Sequence, residues 1–226
     1  MHNFDQFAED YVAINDRYAS LVRENTDYFA SYKASFIARL AGARFSGTVL
    51  DFGCGIGLVS NKLVTALPAA TVHGVDSSPA SIARARATAP QSDRVHYFES
   101  DAGLADATYD FVILANVLHH VPPAERPSVL KRVFMLLKPG GRVVVFEHNT
   151  WNPVVMHIVR NHPFDRDAIF VPVTAAKRLL SEAGLSTKVH FIVFFPGFLK
   201  MLQRLEPYLR FVPFGGQYAC IGKKPS

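Results

Sequence analysis

Between residues 48 and 147 the chain alternates short apolar runs with segments whose apolar residues recur at helical spacing. This predicts strands at 48–52, 71–75, 94–98, 109–115 and 141–147, with helices at 57–67, 79–88 and about 123–137 between them. Pro68 stops the first of these helices, and Pro79 after Ser77-Ser78 suits the first turn of the next. Asp101–Ala107 reads as a loop and Lys138-Pro-Gly-Gly141 as a tight turn. Upstream, Phe4, Phe7, Tyr11, Ile14, Tyr18 and Leu21, then Tyr28 to Leu40, predict two or three helices over 4–40. Downstream come a long loop over 149–173, a helix over 174–183 capped by Thr174 and ended by Gly184, and strands near 186–195 and 216–223.

Repeated β-α-β alternation predicts an α/β fold with a largely parallel sheet and helices on both faces. Ligands in such sheets bind beyond the carboxyl ends of the strands, so chemistry should gather just after each strand. The expected organisation is a helical cap over 1–44 on an α/β domain over 45–226, together one structural unit. Within it, 149–173 and 196–215 should form the acceptor pocket or lid. The segment 196–215 places Phe198, Leu202, Leu205, Leu209 and Val212 at helical spacing, with Lys200, Arg204 and Arg210 elsewhere. It reads either as a packed lid helix or as a surface for a lipid-like acceptor.

At 226 residues, 49% hydrophobic and 19% charged, the chain is long enough for one large core. The net charge of +5 suits an anionic partner, but solubility alone accounts for it. The two cysteines, Cys54 and Cys220, have neither metal-ligand spacing nor the number a disulfide scaffold needs, so no metal is expected and a reducing compartment fits. The N-terminal residues are acidic and lack the apolar core of a signal peptide. The apolar stretch around Phe191–Leu199 is too short, and too interrupted by Pro196, for a span of about 20 residues. A soluble cytoplasmic protein is expected.

The densest chemical signal is Val49-Leu-Asp-Phe-Gly-Cys-Gly-Ile-Gly57, a strand running into an acid and a glycine turn. Glycine there lets a ligand approach the backbone. A dinucleotide fingerprint, Gly-x-Gly-x-x-Gly, needs its third glycine at 58, where this chain has Leu58, and this disfavours a dehydrogenase. Asp51 would repel a pyrophosphate but suits a cation. Asp76, followed by Ser77, ends the second strand about 20 residues past the turn, where an acid accepts ribose hydroxyls; a helix-capping acid is the alternative. After the third strand, Asp101 could accept an exocyclic amine and Ala102 lend a backbone N–H; a surface turn is the alternative.

These blocks, with Asn116-Val117-Leu118 after the fourth strand and the Leu137-Lys-Pro-Gly-Gly141 turn, resemble the class I S-adenosylmethionine-dependent methyltransferases over roughly 45–150. The resemblance implies a Rossmann-like seven-stranded sheet of order 3-2-1-4-5-7-6 with its last strand antiparallel. It implies S-adenosylmethionine as cofactor and a small-molecule methyl acceptor. Asp51, Gly53, Gly55, Asp76, Asp101 and Asn116 would line the cofactor site, with Cys54, Gly57, Ser77, Ala102 and Val117 beside them. The segment from Phe4 to Tyr11 resembles an N-terminal segment of the family, which implies that Tyr11 or Tyr18 covers the cofactor's carboxylate; core packing is the other reading.

For the chemistry, a hydroxyl acceptor needs a base. His148 is the first choice because an ordinary imidazole titrates near neutrality, and His120 the second. His119 and Glu147 share the same strand ends, and either can serve structure instead. The chain reads Ala115-Asn116-Val117-Leu118 where enzymes that methylate nucleic-acid bases carry Asn/Asp-Pro-Pro-Tyr/Phe, so no nucleic acid is expected. Two alternatives stay open: a catalytically silent cofactor-binding partner subunit, and a methyltransferase for a lipid-like or polyprenyl acceptor that touches a membrane surface.

Overall fold

Strand residues of opposite parity sort onto opposite faces of one sheet, as the two-residue period of a strand requires. In a computed structural model, residues 11–19, 25–195 and 197–226 are described. Val112, Leu114, Val143 and Val145 pack against Leu130, Val133, Ala176 and Leu180 on one face. Phe111, Ile113, Val144 and Phe146 pack against Phe36, Ile37, Leu63 and Val64 on the other. A strand covered on both sides must be apolar along its covered length, which is why Phe111–Ala115 reads as a continuous apolar run.

The strands are β1 (Thr48–Phe52), β2 (Thr71–Val75), β3 (Val95–Phe98), β4 (Tyr109–Ala115), β5 (Leu137–His148), β6 (Ser186–Ile192) and β7 (Gln217–Lys223). They form one sheet in the expected order, β3-β2-β1-β4-β5-β7-β6. The pairs from β3 across to β5 are parallel, and β7 lies antiparallel between β5 and β6. Helices α1 (Tyr11–Ala19) and α2 (Thr26–Ala41) precede the sheet; α3 (Leu58–Ala66), α4 (Pro79–Thr88) and α5 (Arg126–Leu136) cross over between strands. Ser78 caps α4 by accepting from the Ser81 N–H, with Pro79 in the first turn. The expected segments at Phe4–Ala8 and at Leu21 lie outside the described residues.

Four expectations are corrected. The loop over 149–173 contains α6 (Pro153–Arg160) and a single 3-10 turn at Pro163–Asp165. The start of α6 carries a signal that was overlooked: Asn152 accepts from the Val154 and Val155 N–H groups, and Pro153 takes the first turn. The next helix, α7, spans Val173–Glu182, so Thr174 lies inside it and Pro172 stands at the cap. Instead of one lid helix, the segment after β6 forms a 3-10 stretch over Gly197–Leu205 and the short α8 (Glu206–Leu209). Lys138–Gly141 is a bulged excursion inside β5: Leu137 pairs with Tyr109, but Arg142 already pairs with Phe111.

The parallel strands all end on one edge, and the connection from β6 to β7 is drawn over it. Asn149, 1% exposed, holds that connection in place. Its side-chain amide donates to the carbonyls of Pro213 (2.9 Å) and Gly215 (2.8 Å), and its Oδ1 accepts from the Trp151 N–H. Replacing Asn149→Ala strands the buried Gly215 carbonyl and the half-buried Pro213 carbonyl and should cost about 2–4 kcal/mol of stability. Urea unfolding measures this, and hydrogen exchange should rise selectively over 213–216.

Candidate active site

The glycine turn works because each of its positions needs a left-handed or crowded backbone. Gly53, Gly55 and Gly57 have φ of 75°, 52° and 80°. A Cβ on Gly53 would come within 2.7 Å of Val117 Cγ2 and one on Gly57 within 2.5 Å of the Tyr97 hydroxyl. Asp76 locks the turn from β2: one carboxylate oxygen accepts from the Gly55 N–H at 2.8 Å, the other from the Ser78 N–H at 2.9 Å. Asn116 follows β4 with φ 60°, a strained angle for a residue with a side chain.

Beyond these strand ends lies a cavity of about 860 Å³. Asp51, Gly53, Cys54, Gly55, Asp76, Ser77 and Asp101 line one part, with Asn116 and Val117 beneath. Val155, Ile158, Phe164, Val193, Phe194 and Phe195 give the other part an apolar wall. The structure therefore gathers most of the expected cofactor residues around one space. Gly57 is not among its lining residues; it starts α3 and packs on Tyr97 and Ala85. Ala102 also lies outside the lining, one residue from Asp101, whose carboxylate is already held by Arg132 at 3.0 Å. Tyr18 lines the cavity with its ring 4.5 Å from that of His162, and the side chain of Tyr11 lies outside the described residues.

Electrostatics differ sharply between neighbouring groups. Burial pushes the Asp51 carboxyl up to about 6, against the pull of its hydrogen bond from Ser60 at 2.7 Å and of Lys33. Lys33, on α2 and only 4% exposed, has its ammonium lowered to about 8 by burial, opposed by Glu147 and Asp51. It lines the cavity and was not singled out in the sequence. Helical spacing marked its stripe as apolar, and a lysine within a helix usually reads as a solvated position.

The candidate acid–base residues separate into two kinds. His119, 2% exposed, donates from Nδ1 to Glu147 at 2.5 Å and faces Asp165 with Nε2 at 3.3 Å. Burial disfavours its cation, but Glu147 and Asp165 outweigh that and hold it protonated to about 10. Burial also raises the two carboxyls, but the histidines overcome it, leaving Glu147 low and Asp165 at about 2. Glu147 accepts from the Leu118 N–H at 2.9 Å and is not a lining residue. His148 is the opposite case: burial drops its ring to about 4, so it is neutral near pH 7. His120 and His148 both line the cavity. Asp165 and His162 complete the cluster. The sequence marked both only as members of a long connection, since the turn that swings them back over β4 and β5 has no local signature.

A family model described as a methyltransferase domain matches residues 50–143. Carboxy-S-adenosyl-L-methionine synthase of Chromohalobacter salexigens is 37% identical over 110 residues, covering 46% of this chain and 41% of that protein. Ubiquinone biosynthesis O-methyltransferase of Escherichia coli O9:H4 is 34% identical over 143 residues, 58% of each chain. The chain thus spans about half the length of the curated relatives it matches. Among solved structures, a putative methyltransferase of Haloferax volcanii, complexed with the Trm112 activator, superposes with TM-score 0.71 at 19% identity, covering 100% of this chain and 99% of that one. An Archaeoglobus fulgidus SAM-dependent methyltransferase gives 0.68 at 18%, covering 91% and 97%. At those identities the two structures establish the shared fold.

The buried His119–Glu147 pair generates a stability test. His119 is raised above its unfolded value, so its stabilisation is complete below about pH 6.5 and fades as pH rises through about 10. Glu147→Gln keeps the bond from Leu118 but leaves the imidazolium without its nearest carboxylate. It should cost about 3–5 kcal/mol at pH 7 and flatten the pH dependence between those limits, measured by urea unfolding at pH 7 and pH 10.

Proposed function

We propose that this chain, whose residues 50–143 match a family model described as a methyltransferase domain, moves a methyl group from S-adenosylmethionine to a small-molecule acceptor in the cavity at the strand ends. The observation that carries the reading is the pairing of the glycine turn with two unsatisfied buried oxygens. Among the described residues, Asp51 Oδ1 and Asn116 Oδ1 are buried without a hydrogen-bond partner. Acceptors in that state are costly unless a ligand donates to them, and a cofactor bearing an ammonium and a sulfonium fits.

When bound, S-adenosylmethionine supplies an electrophilic methyl group on a positively charged sulfur. Asp51 and Asn116 would take the ammonium. Asp76 would accept the ribose hydroxyls with the lone pairs that Gly55 and Ser78 leave over, and Asp101, steadied by Arg132, would meet the adenine amine. Lys33 supplies a buried cation for the carboxylate. The apolar wall excludes water from an in-line displacement, where alignment provides most of the rate. His148, neutral at pH 7 because it is buried, would receive the acceptor's proton, while His119 is held by its two carboxylates and orients its neighbours.

A second reading concerns the acceptor. The segment after β6 exposes Met201 (88%), Tyr208 (80%), Phe214 (70%) and Phe211 (67%), with the exposed Arg204 and Arg210 between them. An apolar surface studded with cations suits an anionic lipid interface, and the apolar wall of the cavity is reached from the same connection. A lipid-like acceptor is therefore the favoured subclass of small molecule. No helix of the described residues is long and apolar enough to cross a membrane.

Two tests follow. Binding a cation beside Asp51 favours its ionised form, so cofactor affinity should fall roughly tenfold between pH 7 and pH 5 as that carboxyl protonates near 6. Calorimetry with Asp51→Asn should show weaker binding and no such step. Micromolar cofactor binding that survives both Asp51→Ala and Asp76→Ala would remove the assignment. For the acceptor, labelled cofactor is incubated with metabolite and lipid extracts and the product is identified by mass. His148→Ala should slow turnover by about 10²-fold or more. Co-sedimentation with anionic vesicles should drop in Arg204→Glu/Arg210→Glu; no sedimentation of the unaltered protein rejects the lipid subclass.

A further inference from the structure

Where β4, β5 and the turn after α6 meet the cavity, His119, His120 and Asp165 bring three ligand atoms within 4.8 Å of one another. We propose that His119 Nε2, His120 Nε2 and Asp165 Oδ1 bind one divalent ion of the zinc type. The spacing argues for a cation. The two imidazole nitrogens stand 3.3 Å and 3.6 Å from Asp165 Oδ1. A charge-assisted N–H···O bond closes to about 2.7–2.9 Å, and His119 does close on Glu147, at 2.5 Å. Two ligands about 2.0–2.1 Å from a tetrahedral zinc ion stand roughly 3.3–3.4 Å apart. The gap on the Asp165 side is the edge of such a tetrahedron.

The surroundings supply what a zinc site needs beyond its ligands. Glu147 takes the Nδ1–H of His119 and fixes the ring, so that Nε2, on giving up its proton to the metal, is the nitrogen directed at Asp165. Glu147 is itself fixed by the Leu118 N–H. His162 stands 3.9 Å from the other oxygen of Asp165 and accepts the Phe164 N–H, which holds the 3-10 turn that presents the carboxylate. Two imidazoles and a carboxylate are a donor set suited to zinc and poorly suited to calcium or magnesium. All three ligands line the cavity, so a fourth position on the ion would face it, as in zinc sites that hold a water or an oxygen ligand.

The site does not depend on the methyl-transfer reading, and its test uses no cofactor and no turnover. Chelator-treated full chain is titrated with zinc against a chromophoric chelator, and separately with cobalt(II) while the visible spectrum is recorded. One equivalent of zinc should bind at micromolar levels, and cobalt should give the visible bands of a low-coordinate nitrogen–oxygen site. His120→Ala and Asp165→Asn should each weaken zinc binding at least tenfold, and Glu147→Gln by about 10–100-fold through the loss of its hold on His119. His120 is the better variant for folding, since its removal leaves the His119–Glu147 pair in place; the cobalt spectrum needs no variant. Substoichiometric zinc, a cobalt spectrum like that of the free ion, or equal binding by a folded His120→Ala/Asp165→Asn protein would overturn the proposal and leave a proton as what bridges His119 and Asp165.

Discussion

One buried carboxylate organises the ends of β4 and β5 and the connections that cover them. Glu147 lies one residue before the end of β5 inside the sheet edge, where an isolated charge is among the most costly groups to bury. Its two oxygens are satisfied by different pieces of the neighbouring connection: the Leu118 N–H and the imidazole of His119. The loop after β4 is therefore held against β5 by charge as well as by packing. His119 passes the constraint on, since its carbonyl accepts from the Ile169 N–H and its ring faces Asp165. Arg126, buried at the start of α5, donates to the carbonyls of Val121 and Ile169 and fixes the same two segments from the other side. Residues 118–121, 147–149 and 162–169 thus form one electrostatically tied unit over strand ends that the apolar core alone would leave loosely connected.

The glycine-turn side of the cavity is held differently, by steric necessity and local hydrogen bonds. The glycine turn lies against Val117 and is clamped by Asp76, so its shape does not depend on ion pairs. Asn116 with φ 60° and Val193 with φ 59° sit at opposite margins of the cavity, and a β-branched residue in that region is the more strained of the two. Val193 is maintained by its surroundings: the Gly216 N–H donates to its carbonyl, and Glu206 accepts the N–H groups of Phe194 and Phe195 just beyond it. The 193–216 connection is therefore pinned at its ends while its middle presents apolar side chains outward. That division suits a wall that keeps its position while its outer face meets another apolar surface.

How much of this could be read from the sequence follows from the range of the forces involved. The strands β2 and β4 and the helix α4 were placed to the residue, because each is set by local alternation, a proline or a capping serine. The sheet order came from resemblance rather than periodicity, since pairing across β5, β7 and β6 is non-local. The glycine turn was legible because a backbone at positive φ packed against its neighbours leaves few residue choices, and Asp51 and Asp76 because they sit at the strand ends that border it. Gly57 was credited to the ligand when its constraint comes from Tyr97, a residue from β3 that no local pattern brings near. Asp165, His162 and Lys33 were missed or left unassigned for a common reason. Each acquires its chemistry from a partner far away in the chain, and a lysine or an aspartate in isolation reads as a surface position.

The balance of charge across the cavity unites the two sides. Asp51 on β1 and Glu147 on β5 lie on either side of β4, and Lys33 on α2 is coupled to both, with burial lowering its ammonium to about 8 and both carboxylates resisting that fall. One buried cation is thus shared by two buried anions, and the deficit appears at Asp51, the carboxylate with an unsatisfied oxygen and the raised proton affinity. Glu147 has His119 as a second cation and stays ionised. The asymmetry follows from position: the group with a protein-borne counter-charge is the one behind the cavity wall, and the group lacking one faces the cavity. The cavity therefore presents two different environments along its length, an anionic one at Asp51 and an apolar one at Phe194 and Phe195.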